Sequence, residues 1–147
     1  MDYTPQDYNF WLKRSPNDSH RDWKYDKDNW LADYIFSANH PHRYEILKEL
    51  DTLEPYESVL ELGCNTGPNL VHLLGKRLSG IDANKEAIEY AQAMLPNADL
   101  RTGNFLDIPW PTKSHDVVLA DASLMYIPPD EIEQIMGEID RVARKGV

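Results

Sequence analysis

The chain has 147 residues, of which 41% are hydrophobic and 27% charged, with 15 basic against 25 acidic residues and one cysteine. That is one domain at roughly 100–200 residues per domain, and no apolar run reaches the about 18 residues that a membrane span needs. A net charge of −10 argues against nucleic acid as the main partner, because such a surface repels a phosphate backbone, and a single cysteine excludes an internal disulfide and a Cys-based zinc cage.

The start, Met1-Asp2-Tyr3-Thr4, lacks a secretory-leader pattern, so the cytoplasm is the expected location. Residues 1–44 carry 10 of the 15 aromatics and read as an N-terminal arm, with residues 45–147 as the main domain. Two readings of the arm stay open: aromatic cover for the core, or a lid over a ligand. Within it Trp30, Leu31, Tyr34 and Ile35 have helical spacing. Asn39 with Pro41 marks a second helix start, with Tyr44, Ile46, Leu47 and Leu50 as its apolar side. Residues 58–62 form a short apolar strand that runs into Gly63. Pro68 opens a helix through Leu74, and residues 78–82 form the next strand. Asn84 caps a helix with Ala87, Ile88, Ala91, Met94 and Leu95 on one face, stopped by Pro96. Residues 98–102 supply a weaker third strand and 115–120 the fourth, the latter with an apolar run, Val117 to Ala120, typical of a buried parallel strand. Asp130 and Glu133 make a capping-box-like pair before a helix with Ile132, Ile135, Met136, Ile139 and Val142 on its apolar face. This alternation predicts an α/β fold, a doubly wound parallel sheet with helices on both faces and its ligand beyond the carboxyl ends of the strands.

The loops at those ends carry the chemistry. In Glu61-Leu62-Gly63-Cys64-Asn65-Thr66-Gly67-Pro68-Asn69, Gly63 permits a sharp turn and close approach to a ligand, and Gly67 permits tight packing before the helix. Asp82 lies 19 residues after Gly63 at the end of the next strand, where a carboxylate can accept hydrogen bonds from two ribose hydroxyls. These features suit any nucleoside cofactor. The dinucleotide fingerprint fails at Asn65 and Pro68, which stand where it has glycines. Glu61, two residues before Gly63, disfavours a pyrophosphate and suits the ammonium of the methionine moiety in S-adenosylmethionine (SAM). An NAD(P)-linked oxidoreductase is kept as the third reading. Plainer roles stand beside these: Glu61 as a solvated strand end, Asp82 as a helix cap, Asn104 as a turn residue, and Cys64 as a small residue in a crowded loop.

On these residues the chain resembles the class I SAM-dependent methyltransferase family. Val59-Leu60-Glu61-Leu62-Gly63-Cys64-Asn65-Thr66-Gly67 is similar to its first motif and Gly80-Ile81-Asp82 to its second. Thr102-Gly103-Asn104-Phe105-Leu106-Asp107-Ile108-Pro109 and His115-Asp116-Val117-Val118-Leu119-Ala120-Asp121-Ala122 are similar to the third and fourth. The resemblance covers residues 57–147. It implies a Rossmann-like sheet in the order 3-2-1-4, truncated before strands 5–7. The apolar fourth strand would then be an edge, which a second copy of the chain could cover. It implies that Glu61 holds the methionyl amino group, and that Gly63, with Cys64, Asn65 and Gly67 beside it, lies against the methionyl chain and ribose. Asp82 would grip the ribose hydroxyls and Ala83 would touch the adenine. Asn104 would meet the adenine amino group, the Phe105 N–H a ring nitrogen, and Asp121 the space near the transferred methyl. Asn65 and Asn104 depart from the family's commoner Gly and Asp; Asn tolerates unusual backbone and can still accept from an amino group.

The expected activity is methyl transfer from SAM to a small-molecule acceptor, with a SAM-binding module lacking transfer activity as the alternative. Neither nucleic acid nor membrane is an expected partner. An activated methyl donor needs alignment and a dry site more than acid–base help. No general base stands at a motif position, so catalytic residues are left unassigned. Trp30, Tyr34 and Tyr126 are candidates for ring contacts with the sulfonium. Arg43 would pair with the SAM carboxylate, or with Glu45 or Asp33. Met125 and Tyr126 would face the acceptor or the core. His40 and His42 flank Pro41 with no third ligand in view, so a surface or packing role is expected and no metal.

Overall fold

A computed structural model describes residues 30–146. Most of the aromatic arm, residues 1–29, lies outside the described residues, as does the ring of Trp30. The elements in chain order are helices α1 (Trp30–Ala38) and α2 (His42–Asp51), strand β1 (Ser58–Leu62), a 3-10 turn (Leu70–Leu73), strand β2 (Arg77–Asp82), helix α3 (Lys85–Met94), strands β3 (Asp99–Thr102) and β4 (His115–Leu119), a second 3-10 turn (Leu124–Tyr126), helix α4 (Ile132–Val142) and strand β5 (Ala143–Gly146). The sheet order is β3-β2-β1-β4-β5, and every pair is parallel.

The central strand explains the architecture. All five residues of β1 are buried, as expected where helices cover both faces of a parallel sheet. Alternate residues feed two cores. Val59 joins Leu50, Leu70, Leu78, Ile88, Ala91 and Val117 on one face. Leu60 and Leu62 join Ile81, Ile108, Trp110, Val118, Ile135 and Ile139 on the other. The doubly wound α/β class is therefore observed. Asn84 caps α3 as expected, its side chain accepting from Ala87 N at 3.1 Å.

Several expectations are corrected. The sheet has a fifth strand. It follows α4 without a loop and pairs with β4 from His115 opposite Ala143 to Val117 opposite Gly146. Arg144 reaches back to Asp116 at 3.0 Å. Because β5 occupies that side, β4 is not an edge, and the reason given for covering it with a second copy falls away. The stretch after Pro68 makes only a 3-10 turn, since β2 already starts at Arg77 and the chain turns through Leu73 and Lys76 to reach it. Asp130 does not cap α4; a turn closed by Glu131 N donating to Pro128 O puts Glu131 at the cap, with no side-chain bond. On α2 Leu50 is buried and Ile46 and Leu47 pack against the core as expected, but Arg43 is buried while Tyr44 is 57% exposed. Arg43 has polar partners inside, in Ser37, Asn69 and Asp121. Ile35, Met94 and Met136 lie outward of the faces assigned to them. No helix among the described residues is long and apolar enough to cross a membrane.

Candidate functional site

The parallel sheet delivers the carboxyl ends of β1, β2 and β4 to one side. At the end of β1 the chain folds sharply, with Gly63 at φ 76° and both Gly63 N and Cys64 N donating to Ile81 O at 2.8 and 3.2 Å. A Cβ at Gly63 would lie 2.5 Å from Ser123 Cβ, so only glycine fits. Ser123 is fixed there by donating its hydroxyl to Leu62 O at 2.7 Å. Asn65 follows at φ 49°, a left-handed conformation that Asn tolerates better than most residues. Gly67 N closes the loop onto Cys64 O at 2.9 Å.

Asp82 ties this loop to the next. Its Oδ2 accepts from Asn65 N at 2.9 Å and its Oδ1 from Asn84 N at 2.8 Å. It therefore fixes both loops. Ala83, beside it, is half-buried. Cys64 is buried against Gly80. Burial first, and then the carboxylates of Glu61 and Asp82, keep its thiol protonated, which suits a packing role and not a nucleophile. Asn104 is exposed, and its Oδ1 accepts from Leu106 N at 3.0 Å, as a turn residue would. Phe105 is half-buried, with its ring edge toward Gly63.

The most unusual group is Glu61. It is 2% exposed at the base of the loop. Its Oε1 accepts from Asn69 Nδ2 at 2.6 Å, while its Oε2 is buried with no hydrogen-bond partner. Burial pushes its carboxyl up to about 8, against the weaker lowering effects of the Asn69 bond and the Arg43 charge. Thr66 Oγ1 is also buried without a partner, so both such atoms among the described residues belong to this one loop. Buried polar atoms are normally paired, and an orphan marks a place built for something else.

A polar network leads outward from Glu61. The same Asn69 amide donates to Asp121 Oδ2 at 3.2 Å, and Asn69 Oδ1 accepts from Arg43 Nη1 at 2.9 Å. Arg43 Nη1 also donates to Asp121 Oδ2 at 2.5 Å, and His42 Nε2 lies 3.1 Å from the same oxygen. Ser37 holds the rest of the guanidinium, its carbonyl and hydroxyl accepting at 3.0 and 2.9 Å. Burial pushes the Asp121 carboxyl up, but the bonds from Asn69 and His42 and the charge of Arg43 outweigh it and hold the group below the usual carboxylate range.

Glu61, Gly63, Asn65, Gly67, Asp82 and Asp121 thus come together around one loop cluster. Arg43 joins them through Asp121, whereas Glu45 pairs with Lys48. Asn69 and His42 were not anticipated in this role. Asn69 had a signal, as an amide directly after Pro68 at the head of a largely apolar stretch. His42 had only its place beside His40, and its bond to Asp121 spans 79 positions. Tyr34 packs against Tyr90 of α3, with ring centroids 6.0 Å apart. Tyr126 is half-buried and Met125 exposed. Among the described residues no three His, Cys, Asp or Glu side chains are arranged to hold a metal ion.

A family model described as a methyltransferase domain matches residues 59–146. A relative from Mycolicibacterium smegmatis, named a probable S-adenosylmethionine-dependent methyltransferase, is 31% identical over 90 residues, which are 60% of this chain and 34% of that protein. The chain spans between 34% and 45% of the length of four curated relatives it matches. Among solved structures, the YcgJ protein of Bacillus subtilis superposes with a TM-score of 0.62 at 22% identity, covering 71% of this chain and 47% of that one. A Haemonchus contortus phosphoethanolamine N-methyltransferase, solved with phosphoethanolamine and S-adenosylhomocysteine, gives a TM-score of 0.61 at 22% identity, covering 78% of this chain and 25% of that one. At such identities the likeness is one of fold.

Proposed function

The chain belongs to the methyltransferase-domain family, and from that premise we propose that it binds SAM at the carboxyl ends of β1, β2 and β4 and passes the methyl group to a small-molecule acceptor. The single observation that carries the reading is Glu61 Oε2, a buried carboxyl oxygen with no partner. A cation with N–H donors satisfies it, and the methionyl ammonium is such a group. When bound, SAM supplies a methyl group on a cationic sulfur, already activated for displacement.

The chain's own residues then have separable tasks. Glu61, ionised by the arriving cation, holds the methionyl end. Asp82, at the carboxyl end of β2 between the two loops, receives the ribose hydroxyls on its carboxylate. Gly63 and its neighbours Cys64, Asn65 and Gly67 form the floor, where the missing Cβ of Gly63 allows close approach. Ala83 and Phe105 line the adenine side, with Asn104 offering its second carbonyl lone pair. Asp121 stands on the side of the acceptor. The oxidoreductase reading is set aside by the family match.

Calorimetric titration with SAM and its demethylated product tests this. The expected result is micromolar binding that Asp82→Ala weakens by at least about tenfold, the cost of roughly one charged hydrogen bond. A folded chain that binds neither compound overturns the proposal. Binding of both, with no transfer to any acceptor, leaves the binding-module reading in its place.

A further inference from the structure

Asp121 Oδ2 collects donors from His42, Arg43 and Asn69. The carboxyl is held ionised and can only accept, so His42 Nε2 carries the proton of their bond. The other ring nitrogen of His42, Nδ1, lies 2.7 Å from His40 Nδ1. That separation requires one proton between the two nitrogens, and two arrangements supply it. In the first, His40 Nδ1–H donates to the bare Nδ1 of a neutral His42, and His40 Nε2 is bare. In the second, a proton has arrived at His40 Nε2 and the shared proton has moved across, so that His42 is an imidazolium donating to Asp121 and to His40 together. The His42 backbone N–H, 3.4 Å from His40 Nδ1, points at the acceptor this second arrangement creates. The two arrangements differ by one proton, taken up at the exposed end and held beside a carboxylate.

The location matches such a task. Both imidazoles are exposed, at the start of α2, while Asp121 is linked inward to Glu61 by one shared Asn69 amide. The charged groups facing the pair are Asp121 and Arg43, with Glu61 behind Asn69; on α2 itself Glu45 is engaged by Lys48. The Phe36 ring stands edge-on to His40 at 6.2 Å.

We infer that His40, His42 and Asp121 form a proton-accepting relay for the methyl acceptor, which is accordingly a protic nucleophile: an amine, a hydroxyl or a thiol. The inference rests on the methyl-transfer reading of the site. His40 Nε2 is the base, and His42 and Asp121 are positioning residues. The acceptor's X–H bond gives its proton to His40 Nε2 and keeps its electron pair for the new X–C bond, while the pair that held the methyl group stays with the departing sulfur. The charge gained at His40 passes to His42, where Asp121 stabilises it.

The test uses the full chain with histidine labelled in its ring nitrogens. Nitrogen–proton correlation spectra are expected to show His42 as the Nε2–H tautomer, hydrogen-bonded through Nδ1 to His40, with Asp121→Asn abolishing the tautomer preference. The opposite tautomer at His42, or a tautomer untouched by Asp121→Asn, overturns the relay. Transfer from SAM is then followed to ethanolamine, 4-nitrophenol and 2-mercaptoethanol. His40→Gln is expected to slow transfer to ethanolamine and 2-mercaptoethanol about 100-fold at neutral pH, and to slow 4-nitrophenol, already largely ionised there, far less. Equal rates with His40→Gln on ethanolamine and 2-mercaptoethanol, or no transfer to any of the three by a chain that binds SAM, overturn the protic-acceptor assignment. Calorimetry on the same samples separates the two levels. His40→Gln is expected to bind SAM as the unaltered chain does, and failure of the unaltered chain to bind SAM overturns the cofactor reading itself.

Discussion

Glu61 has one oxygen bonded to Asn69 and the other bonded to nothing, and this sets a pH dependence with a definite sign. Its carboxyl titrates near 8 in the folded chain, above its ordinary value near 4.5. Folding therefore favours the protonated form. The associated stability is fully present below the unfolded value and is lost as the pH rises through about 8, at a slope approaching about 1.4 kcal/mol per pH unit between the two. Chemical denaturation at several pH values is expected to show that slope, and Glu61→Gln to remove it. The same residue predicts a proton balance for binding. Below pH 8 a cation that needs the carboxylate must expel its proton, so SAM affinity rises up to about tenfold per unit toward pH 8. Calorimetry in two buffers of different ionisation heat is expected to detect about one proton released per SAM near pH 6.5.

The strands and helices read well from the pattern of residues, because burial on both faces leaves β1 and β4 rich in apolar residues, Val59, Leu60 and Leu62 in one and Val117 to Leu119 in the other, and because Asn84 marks the start of α3. Replacing Asn84 by Ala should cost about 1 kcal/mol in thermal unfolding, the usual worth of an N-cap bond. Gly63→Ala should cost more, at least about 2 kcal/mol, since it combines a left-handed φ with a clash against Ser123, and SAM binding should be lost with it. What escaped the pattern has physical reasons. The 3-10 turn after Pro68 depends on the short distance left before β2. The strand β5 has the composition Ala-Arg-Lys-Gly, which carries no strand signal, and it forms because β4 offers an unpaired ladder and Asp116 a partner for Arg144. The first-loop site residues were legible because their spacing is local. The Arg43, His42 and Asn69 contacts to Asp121 were not, since they join positions brought together only by the fold.

At the scale of the molecule, Arg43 is the fastening between the N-terminal helices and the sheet. Its guanidinium is bound by Ser37 of α1, Asn69 after β1 and Asp121 after β4, and it is 8% exposed. Removing it leaves the Asp121 carboxylate without its cation, and Arg43→Met is expected to destabilise the fold by about 3 kcal/mol in denaturant unfolding. Hydrogen exchange should show where the change falls. If Arg43 is the fastening, amides of α1 and α2 lose protection well before those of β1 and β2; uniform loss across the chain would deny it that role.

Cys64 lies at 1% exposure against Gly80, with its thiol kept protonated, and it is the one cysteine of the chain. It is thus a built-in clock for the opening of the β1 loop. A thiol reagent such as a disulfide dye reacts only when that loop lifts from β2, so its rate reports how often the site breathes. A ligand that bridges Glu61 and Asp82 would slow that clock without touching the sulfur.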